Sequence, residues 1–416
     1  MPLPALLRRL PPARLVFVCF MALAVGLSMA LISLAKLLLF VGGALVLLGS
    51  LRRRTAAAGA APALPSTWLI LAALAVFTLT LAWTTAPEDE ALSAIGKHGK
   101  LLMVPLLVLL LRTRRETLIA LGWYAAGQLF LLGSSWALAL HLRLPWATSH
   151  SAVTDYSVFS TYLDQSIMTA LFAALCWHLR GLFASRAARG AAVCVALAAV
   201  ANVVGLLQGR TGHVVVIALV SLAILWELPR RWRLAGVLVP FLVLGVVLAG
   251  SAKVRDRLVL VSTEVTHYNQ NAQIETSSSQ RLNFWHRALQ AIAERPLSGH
   301  GVGSWNVEYN RLEGGRARAH TDVVRNPHQE YLLWGVEAGI GALLLFVALL
   351  ACFWREAGAA PRDEARAARS AVAAVAVACL FNSSLFDAQM GDYFCVALGL
   401  TLALALRSAP VAATAA

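Results

Sequence analysis

The sequence predicts an all-α polytopic membrane protein of about 12 transmembrane helices with one large extramembrane loop. Three observations predict it. Hydrophobic residues make up 59% of the 416 residues and charged residues only 13%, where a soluble domain of this size carries roughly a quarter charged. The apolar residues cluster in runs of about 18–22, long enough to cross about 30 Å of hydrocarbon at about 1.5 Å per residue. The basic residues gather between those runs. Alternating strands of about ten residues, which a closed barrel needs, are not evident.

In order along the chain, the expected spans are roughly 13–31, 35–51, 67–85, 99–111, 117–140, 159–180, 190–208, 213–229, 234–251, 330–353, 368–386 and 392–407. Arg8, Arg9 and Arg14 followed by an apolar run resemble a signal peptide, but the run continues to Leu51. Two uncleaved spans with a hairpin near Ser33–Lys36 fit better. With the N-terminus in the cytoplasm, 20 Lys and Arg fall inside and five (Lys36, Lys97, Lys100, Arg143 and Arg210) fall in short outside loops. This asymmetry sets the orientation, with both termini cytoplasmic. It also accounts for the net charge of +14, so no nucleic-acid partner is expected. The six cysteines lie in apolar runs without zinc spacing and read as small core residues.

The chain thus divides into spans one to nine (1–251), an outer loop (252–329), and spans ten to twelve with a tail (330–416). The loop's segment SSSQRLNFWHRALQAIAERP reads as an amphipathic helix. Serines cap it, Leu282, Trp285, Leu289 and Ile292 form an apolar face, and Pro296 ends it. Such a helix suits the membrane surface. A glycine-rich turn, SGHGVGSW, follows.

Three residues are candidates for chemistry on the outer face. Arg210, in GLLQGRTGH, falls between two spans with almost no loop. A snorkelling role competes with a ligand role there, and Gly209 and Gly212 would let a ligand approach the backbone. Arg281 stands at the start of the loop helix, where free N–H groups already attract anions; a solvated arginine is the alternative. His328, in VVRNPHQEYLLWG, follows Asn326 and Pro327, which are expected to cap and start span ten. A structural histidine competes with a catalytic one. Two arginines suit a diphosphate, and a histidine suits proton removal from a hydroxyl. Gln208, His213, Asp387 and Asp392 are possible supporting residues. Glu88, Asp89 and Glu90 read as a solvated loop rather than a metal site, and Asp164 is costly enough in lipid to need a partner or a cavity. No metal and no cofactor is expected.

These features resemble the O-antigen ligase family, whose superfamily includes O-antigen polymerases and protein O-oligosaccharyltransferases. SQRLNFWHRALQAIAERPLSGHGVGSW followed by NPHQEYL carries the resemblance over roughly residues 190–350. It implies a GT-C-type, metal-independent glycosyltransferase in the Gram-negative inner membrane, with its site facing the periplasm. The implied donor is an undecaprenyl-diphosphate-linked glycan, and the implied acceptor is a sugar hydroxyl of lipid A-core. By the same resemblance, Arg210 and Arg281 hold the donor diphosphate and His328 activates the acceptor. The nearest rival is an O-antigen polymerase using the same donor. A lipid or solute transporter would need charged residues deep in the spans and a repeat between halves; the former are few and the latter is not evident.

Overall fold

The computed structural model describes residues 12–53, 64–232, 235–250, 255–256, 259, 277–314 and 324–409. Arg8, Arg9, Arg54 and Arg233, most of 252–276 and all of 315–323 lie outside the described residues. Among the described residues there is no strand. The helices are α1 (Ala13–Ala24), α2 (Met29–Arg53), α3 (Pro65–Leu79), α4 (Glu88–His98), α5 (Met103–Leu110), α6 (Arg114–Ala139), α7 (Tyr162–Leu179) and α8 (Arg186–Gly205). They continue as α9 (Arg210–Glu227), α10 (Val239–Gly250), α11 (Ser277–Glu294), α12 (Trp305–Leu312), α13 (Glu330–Ala357), α14 (Arg362–Phe381) and α15 (Ala388–Ser408).

A helix lies within each of the twelve apolar stretches read from the sequence. Among the described residues, eight helical runs are long and apolar enough to cross a membrane: α2, α3, the joined run Glu88–Leu110, α6, α8, α9, α13 and α15. The α1 and α10 helices are apolar but shorter. α15 is the axis of the bundle. Its apolar window is 94% buried, against 28–50% for the other seven, and it packs on α5, α6 and α14.

Two boundaries differ from expectation. The first hairpin turns at 25–28, not near Ser33–Lys36, because Gly26 packs on the backbone of Gly127 in α6 and the chain reverses there. Lys36 therefore lies within α2, where its Nζ meets the buried Asp392 carboxylate at 2.7 Å. The fourth run begins at Glu88 rather than residue 99. Glu88, Asp89 and Glu90 form the first turn of α4, where carboxylates complement the helix dipole.

The most unusual local structure is a break in α13. Ala338 and Gly339 leave helical geometry, with Gly339 at φ +79°. The glycine-rich turn fills the break. Ile340 N–H donates to Pro296 O at 2.8 Å instead of to Val336 O. The freed Val336 carbonyl accepts from His300 N at 2.8 Å, and Glu337 O accepts from Gly301 N at 2.9 Å. The Ile340 amide and the Val336 and Glu337 carbonyls displaced by the break thus find replacement partners. Gly299, Gly301 and Gly303 all have positive φ, and a Cβ on Gly299 would meet the Glu337 carbonyl at 2.6 Å. The glycines of this turn serve close backbone docking.

The same junction gathers the segment after α3. Thr85 N donates to His300 O at 3.0 Å, Thr84 Oγ1 to Val302 O at 2.8 Å, and Val302 N to Thr80 Oγ1 at 3.0 Å. Buried Glu337 completes it, accepting from Gly303 N at 2.9 Å and lying 2.7 Å from His98 Nε2.

Candidate functional site

The loop helix α11 packs against α13. Its buried face is Phe284, Ala288, Ala291 and Ile292; of the expected Leu282–Trp285–Leu289–Ile292 stripe, Ile292 is buried, Trp285 packs partly against the core and Leu289 is 57% exposed. Small alanines let α11 approach the bundle closely, and Ile292 seats over Gly335. Side chains three apart share a helix face. Arg281 therefore lies one turn before Phe284 on the inward side, not on a solvated surface.

His328 is reached by that face. The Phe284 and His328 rings stack with centroids 5.9 Å apart at 27°. The local capping differs from expectation. Asn326 Oδ1 accepts from the His328 backbone N at 2.9 Å, which is a turn rather than a helix cap. The cap is Gln329, whose Oε1 accepts from Leu332 N at 2.6 Å. His328 consequently sits outside the helix, at φ +51°, a left-handed conformation uncommon for a residue with a side chain.

A short polar chain fixes its ring. Asn382 Nδ2 donates to Asp387 Oδ2 at 3.0 Å, since a carboxylate can only accept. That orients Asn382 Oδ1 toward His328 Nδ1, 2.9 Å away. The Nδ1 must then carry a proton, and in the neutral ring Nε2 keeps its lone pair. Burial pushes the Asp387 carboxyl above the ordinary carboxylate range, against the pull of the His328, Lys100 and Lys97 charges. Glu330, two residues after His328, accepts from Leu385 N at 3.1 Å and Phe386 N at 3.2 Å. It thereby holds the α14–α15 turn that presents Asn382 and Asp387.

Arg210 is the first residue of α9. Burial, and then the positive charge of Arg210, hold Arg281 below the usual guanidinium range, while Tyr162 acts in the opposite sense. The two arginines are thus within electrostatic reach of one another. Gly209 and Gly212 do not open the backbone to a ligand: Ser166 of α7 occupies the space where their Cβ atoms would lie. They set the tight α7–α9 contact, in which Gly209, the residue before Arg210, lies against the Tyr162 carbonyl.

Of the supporting residues, Asp387 is joined to His328 through Asn382. His213 is buried, with Nε2 3.0 Å from Val203 O, tying α9 to α8. Gln208 lies half-buried in the turn before Arg210. Asp392 pairs with Lys36, and Asp164 begins α7 close enough to Asp387 to interact with it. Phe284, Asn382 and Glu330 escaped the sequence reading. The signals were there: Glu330 stands beside His328, and Asn382-Ser383-Ser384 interrupts an apolar run.

A separate cluster brings ligand-type atoms of Glu294, His300 and Glu308 within 4.8 Å of one another. Arg311 already lies across it, with Nε 2.7 Å from Glu308 Oε2 and a second bond to Glu294. Its guanidinium supplies the positive charge there.

Residues 195–347 match the family described as O-antigen ligase. The chain carries an O-antigen ligase family domain. Comparison with curated proteins found no match. The O-antigen ligase domain contains Arg210, Arg281 and His328, whereas Asn382 and Asp387, which orient the histidine, lie beyond it.

Proposed function

We propose that this protein is an O-antigen ligase, an inverting GT-C-type glycosyltransferase that moves a glycan from undecaprenyl diphosphate to a sugar hydroxyl of lipid A-core. In this reading all twelve apolar helices cross the inner membrane of a Gram-negative bacterium. Both termini are cytoplasmic and the site faces the periplasm. The observation that carries the reading is the placement of α11. One helix face brings Arg281 within electrostatic reach of Arg210 and, a turn later, Phe284 against His328.

The chemistry follows from those groups. The diphosphate lies between Arg210 and Arg281, where guanidinium forks match its oxygens. The acceptor hydroxyl approaches His328 Nε2. Its oxygen bonds to the anomeric carbon as the carbon–phosphate-oxygen bond breaks, and the bonding electrons leave with the diphosphate. The hydroxyl proton goes to Nε2, and the imidazolium so formed is held by Asn382 and Asp387. The arginines stabilise charge as it develops on the leaving group. A diphosphate donor is already activated, so the step needs no nucleotide and no cofactor.

The test is reconstitution with undecaprenyl-diphosphate glycan and lipid A-core, measuring donor binding and transfer on each variant. His328→Gln should bind donor normally and lose about 10²–10⁴-fold in transfer, the usual loss on removing a general base. Arg210→Ala and Arg281→Ala should lose donor binding, and Lys should restore it only partly. Near-normal transfer by His328→Gln would remove the base from this scheme. Products that lengthen the lipid-linked glycan, with lipid A-core left unmodified, would make the protein a polymerase instead.

A further inference from the structure

A cavity of about 420 Å³ lies between α7, α8 and α9, toward the far ends of α7 and α9 from Tyr162 and Arg210. An 18-residue helix such as α9 spans about 27 Å at about 1.5 Å per residue, so the cavity's far end is well removed from the transfer site. Alanines make the hollow: Ala173 and Ala174 from α7, Ala196 from α8 and Ala223 from α9 line it. Leu197 and Ile224, 62% and 41% exposed, stand at its edge and show that it opens on the surface of the bundle. A volume in the range of small-molecule sites, about 300–1,000 Å³, with an almost wholly apolar wall fits a hydrocarbon chain.

The far end is polar and basic. Trp177 and Glu227 close it. The Arg180 guanidinium lies 4.1 Å from the Trp177 ring centroid. Arg362 reaches Glu227 at 3.1 Å and Arg366 reaches it at 2.5 Å. Asp363, against Gly181, is a second carboxylate nearby. Three arginines thus face two carboxylates, and Arg362 remains 65% exposed. Trp226 and Trp354 flank the cluster, as aromatic residues do where a membrane meets water.

We propose that the cavity holds an acyl chain of an anionic phospholipid whose headgroup is bound by Arg180 and Arg362. Charge complementarity selects the occupant. The chain must be apolar to fill the hollow, and the end beside the arginines must be negative. Glu227 does not repel such a headgroup strongly, because Arg366, 2.5 Å away, already balances its charge. The site rests on these helices lying in a membrane and is independent of the transfer chemistry.

The experiment is native mass spectrometry of the full-length protein in detergent, with phosphatidylglycerol and phosphatidylcholine of identical chains. The protein should retain one phosphatidylglycerol and little phosphatidylcholine. Arg180→Gln with Arg362→Gln should weaken phosphatidylglycerol binding by about fivefold per arginine, roughly 25-fold together, as for basic residues near an anionic surface. Ala223→Phe fills the hollow and should abolish lipid retention while transfer continues. Equal retention of both lipids would overturn the proposal. So would Ala223→Phe that keeps phosphatidylglycerol but loses undecaprenyl diphosphate, since the cavity would then belong to the donor's tail.

Discussion

Asn382→Leu isolates the role of the polar chain behind His328. Leucine has a similar size but neither accepts nor donates. The substitution removes the 2.9 Å contact to His328 Nδ1 and the 3.0 Å bond to Asp387. In the proposed transfer Nε2 gains a proton, and the Nδ1 bond becomes a hydrogen bond from a cation. Such a bond contributes about 1.5–3 kcal/mol, so kcat should fall about 10- to 150-fold. Donor binding should not change, because Arg210 and Arg281 are untouched. The turn itself should hold, since Glu330 still accepts from Leu385 and Phe386 and Ser383 Oγ still accepts from Gln329 N at 3.2 Å. Leaving Asp387 without this donor costs about 1–3 kcal/mol of stability, read separately as a lower Tm. The deciding assay is a double-mutant cycle on single-turnover transfer. If Asn382 acts through His328, adding Asn382→Leu to His328→Gln costs nothing further. An unchanged kcat in the single variant, or the same fold loss in both backgrounds, would refute the reasoning.

Gly301→Ala should destabilise the protein by about 2–5 kcal/mol, combining left-handed strain with overpacking. Gly301 has φ +97° and its Cβ would strike Thr84, so a thermal melt with no shift would contradict the docking described. Transfer should survive EDTA, because Arg311 already supplies the positive charge among Glu294, His300 and Glu308; loss restored by Mg²⁺ would assign that cluster to a metal. Acid should loosen the same junction. Burial pushes Glu308 up, but hydrogen bonds from Arg311 and Thr85 and the neighbouring charges outweigh it and hold the carboxyl below its ordinary 4.5. A lowered folded value means stability that is present above 4.5 and lost as pH falls through the folded value. Hydrogen exchange at Thr85 and Gly301, corrected for intrinsic rate, should therefore accelerate below that pH and stay unchanged in Glu308→Gln.

Hydrophobic runs, basic clusters and turn residues are local signals, and they carried most of the architecture. A helix lies in each apolar stretch because a chain in lipid must satisfy its backbone internally, which leaves few alternatives to helix. Arg210 was legible as a charge at a tight turn, and His328 as a polar residue before an apolar run. Local signals misplaced what packing decides. The sequence pattern assigned α11 a face through Leu282 and Leu289. The fold buries Phe284, Ala288 and Ala291 instead, because small residues allow the closer approach to α13, and that rotation turns Arg281 inward. The glycines near Arg210 looked like room for a ligand, but Ser166, more than forty positions earlier, fills that room. Asn382 is 54 residues from His328, so no spacing rule could join them. Their contact exists because Glu330 holds the α14–α15 turn beside the start of α13. The sequence alone determined which segments form apolar helices and which residue types were available for chemistry. The tertiary structure alone decided which of those residues meet, because hydrogen bonding and close packing between distant segments leave no periodic trace in the chain.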